Sequence, residues 1–202
     1  MKEIIQKSIQ KRINYTTYRK LIVDLLKEEK STGPSENPDY VQFSELNNTR
    51  MNRLDKTIIV LESHQNKLQN LSKKMIWLVI SEGWCGDAAQ ILPVLNKLAD
   101  CSENIDFKIV IRDENLELMD LFLTHGNRAI PMLLILDTET NELIANWGPR
   151  PQTATKMVKE YIKLHGGLDA DFKISLQNWY NADKGIKIQD EVMELMDANN
   201  VF

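Results

Sequence analysis

The apolar positions of this chain change rhythm along its length. Ile4, Ile5, Ile9, Ile13, Leu21, Ile22, Leu25 and Leu26 recur largely three and four apart. That spacing predicts helix, broken into two near Asn14. Lys30–Asp39 reads as a loop, because Gly33, Pro34 and Pro38 deny a continuous helix. From about Ser44 to Leu71 one long helix is predicted. Met51, Leu54, Ile58, Leu61, Gln65 and Leu68 alternate three and four apart on a single stripe. The stripe packs on its own chain. The alternative is the seam of a coiled-coil homodimer, since the alternation is a heptad.

At Met75 the period shortens. Met75–Ile80 is uninterrupted apolar sequence, as expected of a strand buried on both faces. Gly83-Trp84-Cys85-Gly86 is a turn, and Ala88–Leu98 is helical. Phe107–Ile111 is a second strand, Leu116–Leu123 a short helix, Met132–Leu136 a third strand, Leu143–Trp147 a fourth, and Thr153–Leu164 a helix. The order β-α-β-α-β-β-α is an α/β layout whose first strands run parallel. Gly166-Gly167 ends it. Two short helices follow, around Phe172–Tyr180 and Val192–Met196. The chain thus divides into an N-terminal helical extension (1–72), an α/β domain (73–166) and a C-terminal helical extension (167–202).

Composition narrows the function classes. The chain has 202 residues, 43% hydrophobic and 27% charged, which supports a packed core and not disorder. Its net charge of −4, from 25 basic and 29 acidic side chains, argues against nucleic acid as the main partner. No apolar run approaches the ~18 residues of a membrane span, and the charged, amphipathic start is not a signal core. A cytoplasmic protein without membrane partner is expected. Two cysteines are not a secreted disulfide framework, so the sequons at Asn14 and Asn47 are read as accidental. His64, His125 and His165 are scattered, without zinc spacing. No metal or cofactor is expected. A Cys-His-Asp hydrolase fits the residue inventory alone.

Cys85 carries the candidate chemistry. It lies at the predicted N-terminus of a helix, where unpaired N–H groups and the positive dipole end favour a thiolate. Such placement lowers cysteine pKa values from ~8.5 into the ~3.5–7.5 range. The competing reading is a buried structural cysteine. Cys101 lies sixteen residues on, about 24 Å along a helix at ~1.5 Å per residue. A disulfide needs Cα atoms within ~7 Å, so the two thiols cannot pair in one folded chain.

The segment Ser81-Glu-Gly-Trp-Cys-Gly-Asp-Ala-Ala-Gln-Ile-Leu-Pro93 resembles the thioredoxin family, which carries Trp-Cys-Gly-Pro-Cys after a buried strand and a helix proline eight residues past the first cysteine. Arg128-Ala-Ile-Pro-Met-Leu-Leu-Ile135 is similar to that family's Ile-Pro-Thr segment, whose proline is cis. Trp-Cys-Gly-Asp-Ala, Asn127-Arg128 and Trp147-Gly-Pro-Arg150 resemble an atypical bacterial subgroup with helical extensions on both sides. The resemblance spans about Met75 to His165. It implies a thioredoxin-like fold: a central mixed sheet flanked by helices, here with added N- and C-terminal helices. It also implies a cis Pro131 that sets the Ile130 backbone beside Cys85, ready to pair with an extended partner peptide.

The pattern fails at two places. Ala88 replaces the resolving cysteine, and Val79 stands where the family has a buried acid. The resemblance therefore implies a monothiol. Cys85 attacks a disulfide and forms a mixed disulfide, which glutathione or a partner thiol resolves. The alternative is oxidation to a sulfenic acid reduced from outside. Protein thiols or disulfides, or glutathione, are the expected partners. Trp84, Gly86 and Asp87 shape the site. Asp87 reads equally as a first-turn acid favouring the helix dipole and as a proton-transfer or substrate-contacting group. Arg112 and Arg150 end the second and fourth strands and are anion-binding candidates, set against the plainer reading of Asp–Arg pairs that fix loops. Trp147 reads as core. A non-catalytic binding or scaffolding module is the competing function, and flanking helices that close over Cys85 imply restricted access.

Overall fold

A computed structural model describes residues 1–33, 37 and 39–202. Pro34 and Pro38 fall outside the described residues. Among these residues the helices are α1 (Lys2–Ile9), α2 (Tyr15–Lys27), α3 (Asp39–Thr57), α4 (Glu62–Gln69), α5 (Gly86–Ala99), α6 (Leu116–Met119), α7 (Gln152–His165), α8 (Ala170–Asp183) and α9 (Ile186–Ala198). The strands are β1 (Met75–Ser81), β2 (Ile105–Ile111), β3 (Met132–Asp137) and β4 (Leu143–Trp147).

The strand order is β2-β1-β3-β4. β1 runs parallel to β2 and antiparallel to β3, and β3 is antiparallel to β4. Every residue of β1 is buried, as a central strand covered on both faces requires. Its neighbour β2 is extended by one bridge: Ile13 and Ile109 exchange N–H···O bonds of 2.9 and 2.8 Å. This is the mixed sheet flanked by helices that the family resemblance implies, with the first two strands parallel as the element order predicts.

The N-terminal helices break where expected. Asn14 is extended and its side chain accepts a hydrogen bond from the Thr17 N–H at 2.8 Å, capping α2. The long helix predicted over residues 44–71 is instead two helices, α3 and α4. Ile58, Ile59 and Val60 form a β-branched run that loses χ1 freedom in a helix. Gln189 of α9 supplies the alternative bonds: it donates to the Ile59 carbonyl at 3.0 Å and accepts from the Leu61 N–H at 2.9 Å. The stripe residues Met51, Leu54, Ile58 and Leu68 are buried within the chain. The helix predicted to reach Leu123 stops at Met119. The Leu121 and Phe122 N–H groups bond three residues back, to Leu118 and Met119, which tightens the turn and sends Phe122 inward.

Both terminal segments enter one core. Ile5, Tyr18 and Ile22 from the N-terminal side and Ile188, Val192, Met193 and Met196 from α9 join the cluster around β1 and α5. Gly185 (φ +80°) lets α9 start close against α5, because a Cβ there would lie 2.6 Å from Val94 Cγ2. Among the described residues no helix is long and apolar enough to cross a membrane.

Candidate functional site

Strand register gathers the candidate residues. Ser81 pairs with Ile111, so Glu82 and Arg112 leave the sheet side by side. Ile80 pairs with Met132, so the turn after β1 meets the segment before β3. The Ile130–Pro131 bond is cis. The Cys85 thiol donates to the Ile130 carbonyl at 3.4 Å and accepts from the Ala88 N–H at 3.5 Å. Cys85 is thus the N-cap of α5, on a dipole end and against the cis proline, as the motifs imply. Cys101 sits past the far end of the same helix, and both cysteines are free.

The thiol's electrostatics differ from the expected depression. Cys85 is only 8% exposed. Burial first, then the charge of Asp87, push its pKa up to about 12. The Ala88 and Asp87 N–H groups and the charge of Arg150 act the other way and are outweighed. The helix N-terminus is present; desolvation wins because the site is closed.

Two extensions close it. From α3, Asn47 donates to the Gly83 carbonyl at 3.0 Å, and Arg50 donates to Asn47 Oδ1 at 2.9 Å. A Cβ on Gly86 would stand 3.6 Å from Arg50 Nη1. From α8, the Tyr180 hydroxyl donates to Asp87 Oδ1 at 2.8 Å, and Gln90 of α5 donates to Gln177 at 2.7 Å. Asp87 Oδ2 is held by Arg150 at 2.6 Å. Burial alone would lower the Arg150 pKa, but Asp87 outweighs it and the net shift is upward. Burial and the Asp87 charge raise Tyr180 well above its ordinary value.

Both arginines named from the sequence have carboxylate partners. Arg150 pairs with Asp87. Arg112 Nε donates to Asp113 at 2.8 Å, and its guanidinium lies 4.9 Å from the centre of the Trp84 ring. Tyr40 also stacks on the Trp84 ring, at 4.4 Å. Gly148 (φ +132°) allows the turn after β4 to pass the site, because a Cβ there would lie 2.4 Å from the Pro131 carbonyl oxygen. Trp147 is core, with its indole N–H on Glu191 of α9 at 2.9 Å.

Sequence reasoning missed Glu82. Val79 does replace the family's buried acid, but Glu82, three residues before the cysteine, is fully buried. Its Oε1 accepts from the Asp113 N–H at 2.9 Å, and Oε2 has no hydrogen-bond partner among the described residues. Burial is the largest effect on Glu82 and raises its pKa, outweighing the nearby Thr32 hydroxyl and the Asp113 N–H, which act to lower it. The available signal was an acid directly after a strand whose first six residues are all apolar. Tyr180, Asn47 and Arg50 had no comparable signal.

No curated protein matches the chain. Two solved structures share its fold. A crystal structure of a protein of unknown function from Pseudomonas aeruginosa is 16% identical, with a TM-score of 0.59 over 92% of this chain and 98% of that one. An HIV epitope-scaffold is 18% identical, with a TM-score of 0.56 over 92% of this chain and 99% of that one. At such identities the likeness is one of fold. A model of the thioredoxin family matches residues 34–163, from ahead of α3 into α7. That match spans well over half of the chain, and the protein belongs to the thioredoxin family.

Proposed function

We propose that the protein performs thiol–disulfide exchange through Cys85 alone, as part of cellular redox homeostasis. The observation that carries the reading is the seat of the sulfur: on the N-terminus of α5, between the Ala88 N–H and the Ile130 carbonyl. The Cys85 thiolate attacks one sulfur of a partner disulfide. A new S–S bond forms, the old one breaks, and the other sulfur leaves with the electron pair. With alanine at position 88, a second thiol from glutathione or the partner protein resolves the mixed disulfide. Ile130-Pro131 positions the partner, and Trp84, Gly86 and Asp87 shape the approach. Two free cysteines fit a reducing, cytoplasmic setting.

The burial of Cys85 beneath α3 and α8 favours a second reading, a thioredoxin-fold binding module without turnover. The pH dependence of Cys85 alkylation in a Cys101→Ala background, with mass spectrometry of glutathione adducts, separates the two. A glutathione adduct that forms and is released supports exchange. No adduct and no alkylation below pH 10 leave the binding module.

A further inference from the structure

We infer that Arg50, assisted by Arg53, selects disulfide partners that carry a carboxylate close to the reacting sulfur. This rests on the exchange reading of Cys85 and names the partner chemistry of that site.

Arg50 is a partly buried cation with no carboxylate paired to it among the described residues. Arg19, Arg112, Arg128 and Arg150 each pair with a carboxylate. Among the described residues Arg50 and Arg53 pair with none; Arg12, which bonds the Ile9 carbonyl at 2.9 Å, is the third without a carboxylate. Arg50 bonds the amide oxygen of Asn47 at 2.9 Å, and Arg53 bonds that of Asn181 at 2.7 Å. In a chain of net charge −4, two neighbouring cations left to amide oxygens stand out.

Asp87, the carboxylate whose charge Arg50 feels, is already committed to Arg150 and Tyr180. Burial first, then the charge of Arg53, lower the Arg50 pKa, while Asp87 acts to raise it. An added anion offsets both unfavourable effects. Arg50 also has the right address, since its Nη1 lies against Gly86, the residue after the nucleophile. The two arginines lie three positions apart on one face of α3. Asn181 carries the pair on to α8, so the positive strip runs between the two elements that cover Cys85. A guanidinium offers the planar fork that a carboxylate matches.

The test compares disulfide probes on the full chain in a Cys101→Ala background. The anionic probe is 5,5′-dithiobis(2-nitrobenzoate) and the neutral one is 4,4′-dithiodipyridine. Cys85 displaces one chromophoric thiol from each, so both rates are read by absorbance. In Arg50→Gln the ratio of anionic to neutral rate constants is expected to fall about three- to tenfold. It falls less in Arg50→Lys, which keeps the charge and loses the fork, and in Arg53→Gln, and it shrinks in high salt. The neutral probe absorbs any change in Cys85 caused through Asn47.

Glutathione disulfide and a disulfide of a Glu-flanked cysteine peptide then identify the source of the carboxylate. Slowing of either in Arg50→Gln supports the inference, and slowing of neither overturns it. A reactive Cys85 whose probe ratio is unchanged in Arg50→Gln and in the double glutamine variant overturns this inference alone. A Cys85 silent to both probes overturns the exchange reading and this one with it.

Discussion

Cys85 stands between opposing effects. The N–H groups of α5 and the charge of Arg150 favour its thiolate; burial and Asp87 oppose it and prevail. Asp87→Asn removes the opposing charge and leaves Arg150 facing the sulfur. Alkylation of Cys85 at pH 8 is therefore expected to accelerate at least about threefold, as a change of ~0.7 kcal/mol gives. A slower or unchanged rate would show that Asp87 acts through structure and not charge. Glu82 makes a different prediction. Its folded pKa lies above the ordinary 4.5, so the folded chain binds more protons than the unfolded one above that pH. Its contribution to stability is full below 4.5 and falls as pH rises through the folded value. Glu82→Gln keeps the acceptor for the Asp113 N–H and has no such slope. Its melting temperature should exceed that of the parent at pH 8 and match it at pH 4. Equal differences at both pH values would contradict the assignment. Cys85 follows the same sign at higher pH: its proton-linked stability is lost between 9.0 and about 12.

At the scale of elements, the break between α3 and α4 is the main departure from the periodic pattern. The heptad spacing runs straight through Ile58–Leu61, and the positions are apolar on the expected side. What interrupts the helix is a β-branched run together with Gln189, which lies 128 residues from Leu61 and serves both backbone groups of the gap. Gln189→Ala is expected to cost about 1–3 kcal/mol, read as a lower urea midpoint at unchanged slope. Gln65→Ala, on the exposed face of α4, should stay within about 0.5 kcal/mol. A loss for Gln189→Ala no greater than that of the exposed control would mean that water satisfies the gap equally well. The other elements were legible because each rule is local: Asn14 caps, the apolar run of β1 predicts a central strand, and Gly166 (φ +76°) ends α7.

For the whole molecule, the helices beyond the α/β unit are part of its core. α9 brings Ile188, Val192, Met193 and Met196, each at most 2% exposed, into the cluster with β1 and α5. At ~1.5–3 kcal/mol for each large apolar side chain, their burial is worth roughly 6–12 kcal/mol. That matches the ~5–15 kcal/mol of an entire domain. A chain ending at residue 166 should therefore lose its cooperative melt and bind a hydrophobic dye. A sharp transition near the parent temperature would show that the α/β unit closes its own core. The same architecture explains the closed site: Asn47 and Arg50 from α3 and Tyr180 from α8 are bonded around the start of α5, where Cys85 is 8% exposed.

By itself the sequence determined the order of strands and helices in the α/β unit and, through its resemblance to the thioredoxin family, the core and the cysteine with its cis proline. The element order depends on spacings of a few residues, where local geometry dictates the pattern. Only the tertiary structure decided how the thiol sits. The burial that raises its pKa comes from contacts between residues far apart in the chain, Tyr180 on Asp87 being 93 positions away. Glu82 is adjacent in sequence, yet its depth depends on what covers β1. Desolvation belongs to the assembled fold, and no local pattern in the chain encodes it.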